Sequence, residues 1–241
     1  MSQDINWQDI NTLIEPRPFA VSSNSQLSYY RDGHKVFKFR GTQREIDMML
    51  AAGDCSVRVC GRVVFPNLDG TFVTEGFTMP RETPLNVVAT DPARRPTLLH
   101  GMVSRVLALH ARGMVHGDLK LANMLLCSDG QVRLCDFGEA RPLNEDPANW
   151  EGTVTVNYVS PHRCRTWPGS RDPPPVVEDD LYGLGLSIWE LYTGKVPFDG
   201  VYEDGVREAI KAGRTVDEME VTDLAVREMI CQYLRCGGAR V

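Results

Sequence analysis

Over the first eighty residues the apolar positions fall in short runs separated by turn residues, a β-rich pattern broken by one helix. Residues 1 to about 25 are polar, with Ser and Asn crowded into "AVSSNSQLS", so a peripheral, partly ordered extension is expected there. "LSYYRDGHKVFKF" reads as a hairpin, since Arg31-Asp32-Gly33-His34 carries the Asp-Gly turn signal between two β-rich runs. In "TQREIDMMLAAGD", Ile46, Met49 and Leu50 recur at helical spacing and Gly53 marks the stop. "SVRVCGRVVF" and "TFVTEGFTMP" read as two strands around the turn Asn67 to Gly70.

After the Pro- and Arg-containing connector from Pro80 to Pro96 the period changes. "TLLHGMVSRVLALHARG" predicts an amphipathic helix with Leu99, Met102, Val103, Val106, Leu107 and Leu109 on its apolar face and Gly113 as its stop. Residues 124–127 and 131–135 predict a short hairpin about Ser128-Asp129-Gly130, and a loop-rich stretch ending in "DPPP" follows. "DDLYGLGLSIWELYTG" is apolar nearly all round, which predicts a buried helix, and "EDGVREAIKAG" and "DLAVREMICQYLRCGG" predict two amphipathic ones. The pattern thus divides the chain into an extension (1–25), a β-rich part (26–80) and a mainly helical part (81–241), with no internal repeat.

Charge and cysteine usage narrow the classes. The net charge is −6, and no Lys/Arg run tracks a phosphate backbone, so nucleic acid is not expected as a partner. The seven cysteines are odd in number and form no CxxC pair, which favours buried apolar fillers over disulfides or zinc ligands. The N-terminus lacks an apolar signal core, and no run of apolar residues is long enough for a membrane span. The expectation is a reduced, soluble, cytoplasmic protein without a membrane partner.

The densest polar cluster is "VHGDLKLANMLL", residues 115 to 126, with His116, Asp118, Lys120 and Asn123 between apolar runs. Buried polar groups need partners, so such density marks either a satisfied turn or a site. Together with other motifs in order, the stretch resembles the protein-kinase superfamily from about Tyr29 to the C-terminus. "HGDLKLANML" resembles the catalytic loop H-R-D-L-K-x-x-N, and "CDFG" the metal-binding D-F-G after a short hairpin. "KVFK" resembles the strand motif V-A-I-K and "REIDMML" the helix whose Glu pairs with that Lys. "TVNYVSP" resembles the end of an activation segment, and "DDLYGLGLSIWEL" the buried helix behind the catalytic loop.

The resemblance implies an α+β, two-lobed protein-kinase-like fold, with a small β-rich N-lobe carrying one short helix and a reduced helical C-lobe. It also implies ATP and Mg²⁺ as cofactors and a protein Ser/Thr hydroxyl as acceptor. By it, Asp118 would orient the hydroxyl and accept its proton, Lys120 would stand beside the transferring phosphate, and Thr155 would hold both. Lys38 would contact the α- and β-phosphates, fixed by Glu45. Asn123 and Asp136 would hold Mg²⁺, and the adenine-facing hinge would lie near Thr78, Met79 and Arg81. His116 and Phe137 would stack in an apolar column with Met49 on the same helix as Glu45, and Asp180 would anchor the catalytic-loop backbone.

The chain also departs from the family's pattern. The Gly-rich loop over the phosphates is absent, its place taken by "AVSSNSQLS". The catalytic loop has Gly117 where most members have an Arg that receives an activation-segment phosphate, which implies activity independent of that modification. The segment ends Ser160-Pro161-His162 rather than A-P-E, and only six residues separate Lys38 from Glu45. Two other readings stay open at this point. One is a small-molecule kinase of the aminoglycoside or choline type acting on a hydroxylated metabolite, which H-G-D and the brief C-lobe favour. The other is a catalytically silent scaffold, which the missing glycines favour and the retained Lys38, Glu45, Asp118, Asn123 and Asp136 oppose.

Overall fold

The computed structural model describes residues 4–21, 25–88, 91–149, 152, 154–164 and 173–241. Ser22 to Asn24, within the segment that stands in place of a Gly-rich loop, lie outside the described residues. The chain divides into two units, Met1–Glu82 and Thr83–Val241.

In the first unit, strands β1 (Ile5–Asn6), β2 (Ala20–Val21), β3 (Gln26–Tyr29), β4 (Lys35–Phe39), β5 (Gly61–Pro66) and β6 (Phe72–Pro80) form one sheet in the order β1-β5-β6-β4-β3-β2. β1 runs parallel to β5, and the other pairs are antiparallel. The expected β3–β4 hairpin turns through Asp32, whose carboxylate accepts from the His34 N–H at 2.8 Å. The strand expected from Ser56 begins only at Gly61, with five residues between it and the 3₁₀ turn Gly53–Cys55.

The N-terminal segment, expected as a peripheral, partly ordered extension, carries a helix that the sequence pattern did not indicate. Helix α1 (Trp7–Leu13) is capped by the Asn6 side chain, which accepts from the Gln8 N–H at 2.9 Å. It buries Ile10 completely against Tyr30, Phe37 and Val63, with Trp7 and Ile14 packed alongside. Trp7, Ile10 and Ile14 recur one turn apart, a signal that the polar residues between them obscure.

Three residues separate the end of β4 from helix α2 (Gln43–Ala52). Arg40 turns the chain with a positive φ of 62°, and the Thr42 hydroxyl then caps the helix by accepting from the Glu45 N–H at 3.1 Å.

The second unit begins with strand β7 (Thr83–Pro84) and helices α3 (Leu85–Val88) and α4 (Arg95–Ala111). α4 buries Leu98, Met102, Val106 and Leu109, while Leu107 is 47% exposed. Its apolar face is therefore centred on the i, i+4, i+8 row from Leu98, and Leu107, one position past that row, points away. β8 (Met114–Val115), β9 (Met124–Leu126), β10 (Val132–Leu134) and β11 (Arg141–Pro142) make two small sheets, β10-β9-β7 and β11-β8. The short helix α5 (Pro161–Cys164) precedes α6 (Val177–Thr193), α7 (Glu203–Lys211) and α8 (Leu224–Cys236).

α6 is buried from Asp179 to Leu191 except at the half-buried Leu181, as its nearly all-round apolar pattern predicts. Its Gly183 lies against the loop before Asn123, where a Cβ would come within 2.6 Å of the Leu119 carbonyl oxygen. All seven cysteines are free thiols. Among the described residues no helix is long and apolar enough to cross a membrane.

Candidate active site

In the first unit Lys38 sits mid-strand on β4, beside Phe77 of β6 in the register. Its Nζ donates to Glu45 Oε1 at 2.6 Å, and the two residues are only 7% and 3% exposed. The cap at Thr42 fixes the first turn of α2, and that turn sets the Glu45 side chain opposite the strand. Six intervening residues are thus enough to close the pair. Thr78 and Met79 are buried strand residues of β6, and the Thr78 hydroxyl reaches the Gly61 carbonyl at 3.4 Å. Arg81 follows the strand, its N–H donating to the His34 carbonyl and its guanidinium stacked 4.0 Å from the Tyr29 ring centre.

The second unit brings Asp118, Lys120, Asn123 and Thr155 into one hydrogen-bonded group. Lys120 Nζ donates to Asp118 Oδ2 at 2.7 Å and to Thr155 Oγ1 at 2.8 Å. Asn123 Nδ2 donates to the Asp118 carbonyl at 2.9 Å and to Asp118 Oδ2 at 3.1 Å. The backbone that carries them is anchored by Asp180, at the start of α6. Asp180 Oδ2 accepts from the His116 N–H at 2.7 Å and Oδ1 from the Gly117 N–H at 2.9 Å, with His110 Nε2 also 2.9 Å from Oδ2. His116 is fully buried, its ring 4.8 Å from that of Phe137. Its Nε2 lies 2.9 Å from the Cys135 carbonyl and its Nδ1 accepts from the Asp118 N–H at 3.3 Å, so the ring orders the loop.

Burial pushes the Asp118 carboxyl up, but the Lys120 charge, with hydrogen bonds from Lys120 and Thr155, outweighs it and holds the group below the ordinary carboxylate value. Asp118 is therefore an ionised acceptor at neutral pH, already pointed by three neighbours.

Asn123 precedes β9 and Asp136 follows β10, and the Cys135 N–H donates to the Asn123 carbonyl at 3.0 Å, which sets the two on adjoining strand ends. The Asn123 amide nitrogen is committed to Asp118, leaving its oxygen as the remaining donor atom, and Asp136 adopts a left-handed backbone with φ 64°. Among the described residues no three His, Cys, Asp or Glu side chains gather into a metal cage. Two hard oxygen donors fit Mg²⁺, which takes few protein ligands and completes its shell with phosphate oxygens and water.

Five polar or charged residues of this region make contacts that sequence reasoning does not give. Ser160 donates to Asp179, whose other carboxylate oxygen accepts from the Val176 N–H at 2.9 Å. Arg163 is 3% exposed and donates to the Gly117 carbonyl at 2.9 Å. Tyr158 donates to Glu190 on α6. Of these only Glu190 carries a signal, since a lone carboxylate inside an apolar helix must find a partner.

A family model for the protein kinase domain matches residues 81–232. The chain is 40% identical over 93 residues to a probable serine/threonine-protein kinase PknB of Lactococcus lactis, a match covering 38% of this chain and 14% of that protein. It is 34% identical over 128 residues to the serine/threonine-protein kinase PknL of Mycobacterium tuberculosis, covering 52% and 30%. It is 29% identical over 202 residues to PknA of Mycobacterium tuberculosis, covering 80% of this chain and 44% of the relative. The match spans less than half the length of each of these relatives.

Proposed function

The chain belongs to the protein kinase domain family, with a β-sheet N-terminal part and a helical C-terminal part, and from that premise we propose that it transfers the γ-phosphoryl group of ATP to a Ser or Thr hydroxyl of a protein. The observation that carries the proposal is the grouping of Lys120, Asn123 and Thr155 around an ionised Asp118.

Asp118 accepts the hydrogen bond of the incoming hydroxyl and receives its proton as the hydroxyl oxygen bonds to the γ-phosphorus and the bond from that phosphorus to the departing ADP breaks. Lys120, two residues on and tied to Asp118 and Thr155, holds a positive charge where negative charge develops. Asn123 keeps the Asp118 carboxylate from rotating. Lys38, steadied by Glu45, is the residue assigned to the α- and β-phosphates, and Asn123 and Asp136 are those assigned to the metal. Bound ATP with Mg²⁺ supplies the phosphoryl group and the cation charge that offsets it. Thr78, Met79 and Arg81 are assigned to the adenine side. The relatives, named as serine/threonine-protein kinases, support a protein acceptor over a metabolite.

The test offers γ-labelled ATP with Mg²⁺, a peptide library and a panel of hydroxylated metabolites to the protein and to Asp118→Ala. Label on Ser or Thr of peptides is expected, falling by about 10²- to 10⁴-fold in the variant, the range for loss of a positioned general base. Label confined to metabolites would instead establish the small-molecule reading. Nucleotide binding without transfer would establish the silent scaffold.

A further inference from the structure

Arg163 lies in α5 with 3% exposure. A buried guanidinium is costly unless its donors and charge are met, so its position must be held by strong partners. Nη1 donates to the Gly117 carbonyl at 2.9 Å and Nε to the Pro173 carbonyl at 3.2 Å. Its own N–H donates to the Ser160 hydroxyl at 3.2 Å, and that hydroxyl donates to the buried Asp179 carboxylate. Gly117, Asp118, Thr155, Arg163, Asp179 and Asp180 all line one small cavity.

The consequence falls on one peptide group. Asp180 takes the Gly117 N–H and Arg163 takes the Gly117 carbonyl, so both polar atoms of Gly117 are gripped from outside the loop. That carbonyl belongs to the planar unit joining Gly117 to Asp118, and fixing it fixes the direction in which the Asp118 backbone leaves. Within the loop the His116 ring holds the other end of that unit, its Nδ1 accepting from the Asp118 N–H at 3.3 Å, and Gly117 itself supplies no side chain. Gly117 has φ 81°, and a Cβ there would come within 2.5 Å of the Glu139 carbonyl oxygen and 2.9 Å of Pro175 Cγ.

We propose that Arg163 is a positioning residue for phosphoryl transfer, holding the Gly117–Asp118 peptide so that the Asp118 carboxylate is aimed at the acceptor hydroxyl. The inference rests on the reading of Asp118 as the group that receives the hydroxyl proton.

The experiment compares the full chain with Arg163→Met, Arg163→Lys and Asp118→Ala, reading kcat, both KM values, thermal melting and amide hydrogen exchange at Gly117 and Asp118. Arg163→Met is expected to lower kcat by about 10- to 100-fold, the scale of a small misplacement of a reacting group. KM for ATP should stay within about twofold, and exchange at the two amides should quicken beyond any general rise. Added guanidinium ion should restore part of kcat. Arg163→Lys should fall between, since an ammonium lacks the planar fork that serves two carbonyls.

A folded Arg163→Met with kcat within about twofold of the parent, or with unchanged exchange at Gly117 and Asp118, would overturn the proposal. If the Met variant fails to fold, the Lys variant carries the same comparison with the same expected directions. If the parent transfers no phosphate that Asp118→Ala abolishes, the kinase reading falls, while the exchange arm still decides whether Arg163 holds the peptide.

Discussion

In the first unit a cation meets an anion in a buried contact of 2.6 Å, Lys38 to Glu45, with little solvent to share the charge. In the second unit the charge is spread. Asp118 is served by Lys120 and Asn123, Lys120 is shared with Thr155, and Asp180 takes two backbone N–H groups and lies against His110. A compact pair is an all-or-none device, because removing one partner strands the other in a poorly solvated place. In the network Asp118 keeps Asn123 when Lys120 is removed, and Lys120 keeps Thr155 when Asp118 is removed. The contrast suits the proposed tasks, a fixed cation for phosphates and an aimed carboxylate for a hydroxyl.

The largest expected effect follows from stranding a charge. Lys38→Met leaves Glu45 buried without its ammonium partner and is expected to cost about 3–5 kcal/mol in denaturant unfolding. Replacing both residues, Lys38→Met with Glu45→Leu, should return most of that stability while leaving nucleotide binding lost. A single variant that costs under about 1 kcal/mol would show the pair to be effectively solvated and would erase the contrast between the units.

The network should yield less per residue. Asp180→Asn keeps the shape but replaces one acceptor oxygen by an amide donor, which then faces a backbone N–H. A cost of about 1–3 kcal/mol is expected, the penalty for an unsatisfied buried donor. Exchange at the His116 and Gly117 amides should quicken first. Loss of stability on the scale of Lys38→Met would mean that the network fails as a unit, as the pair does.

The sequence made part of this legible and not the rest, for identifiable reasons. The β3–β4 hairpin, α2, α6 and the order of "HGDLKLAN", "CDFG" and "DDLYGLG" could be read because turn chemistry, helical period and local spacing are written in neighbouring residues. The hydrogen bonds among Asp118, Lys120 and Asn123 are local in the same sense. Arg163 was not legible, since its partner Gly117 is 46 residues away and "SPHRC" carries no periodic signal. The α1 segment was missed because one fully buried residue, Ile10, organises a helix that is otherwise polar. Leu107 was assigned to the buried face of α4 because composition marks apolar residues, while the neighbours decide which row is covered.

The smallest expected effect concerns how α6 holds the segment that carries Thr155. Tyr158, three residues on, donates to Glu190, and burial pushes the Glu190 carboxyl above its ordinary value of 4.5 despite that hydrogen bond. The folded chain therefore keeps this proton to higher pH than the unfolded chain does. Its stabilising contribution is complete below about pH 4.5 and drains away as pH rises through the raised folded value. Asp179, also pushed up by burial, adds a slope of the same sign, whereas Asp118, held low, contributes stability that is lost only in acid. Glu190→Gln keeps an acceptor oxygen for Tyr158 and removes one titrating group from this balance. Its melting temperature should match the parent near pH 4 and fall less steeply from pH 4.5 upward, with the Asp179 slope remaining. Parallel melting curves across that range would mean that Glu190 titrates alike in both states, and that α6 grips the segment through the neutral hydrogen bond alone.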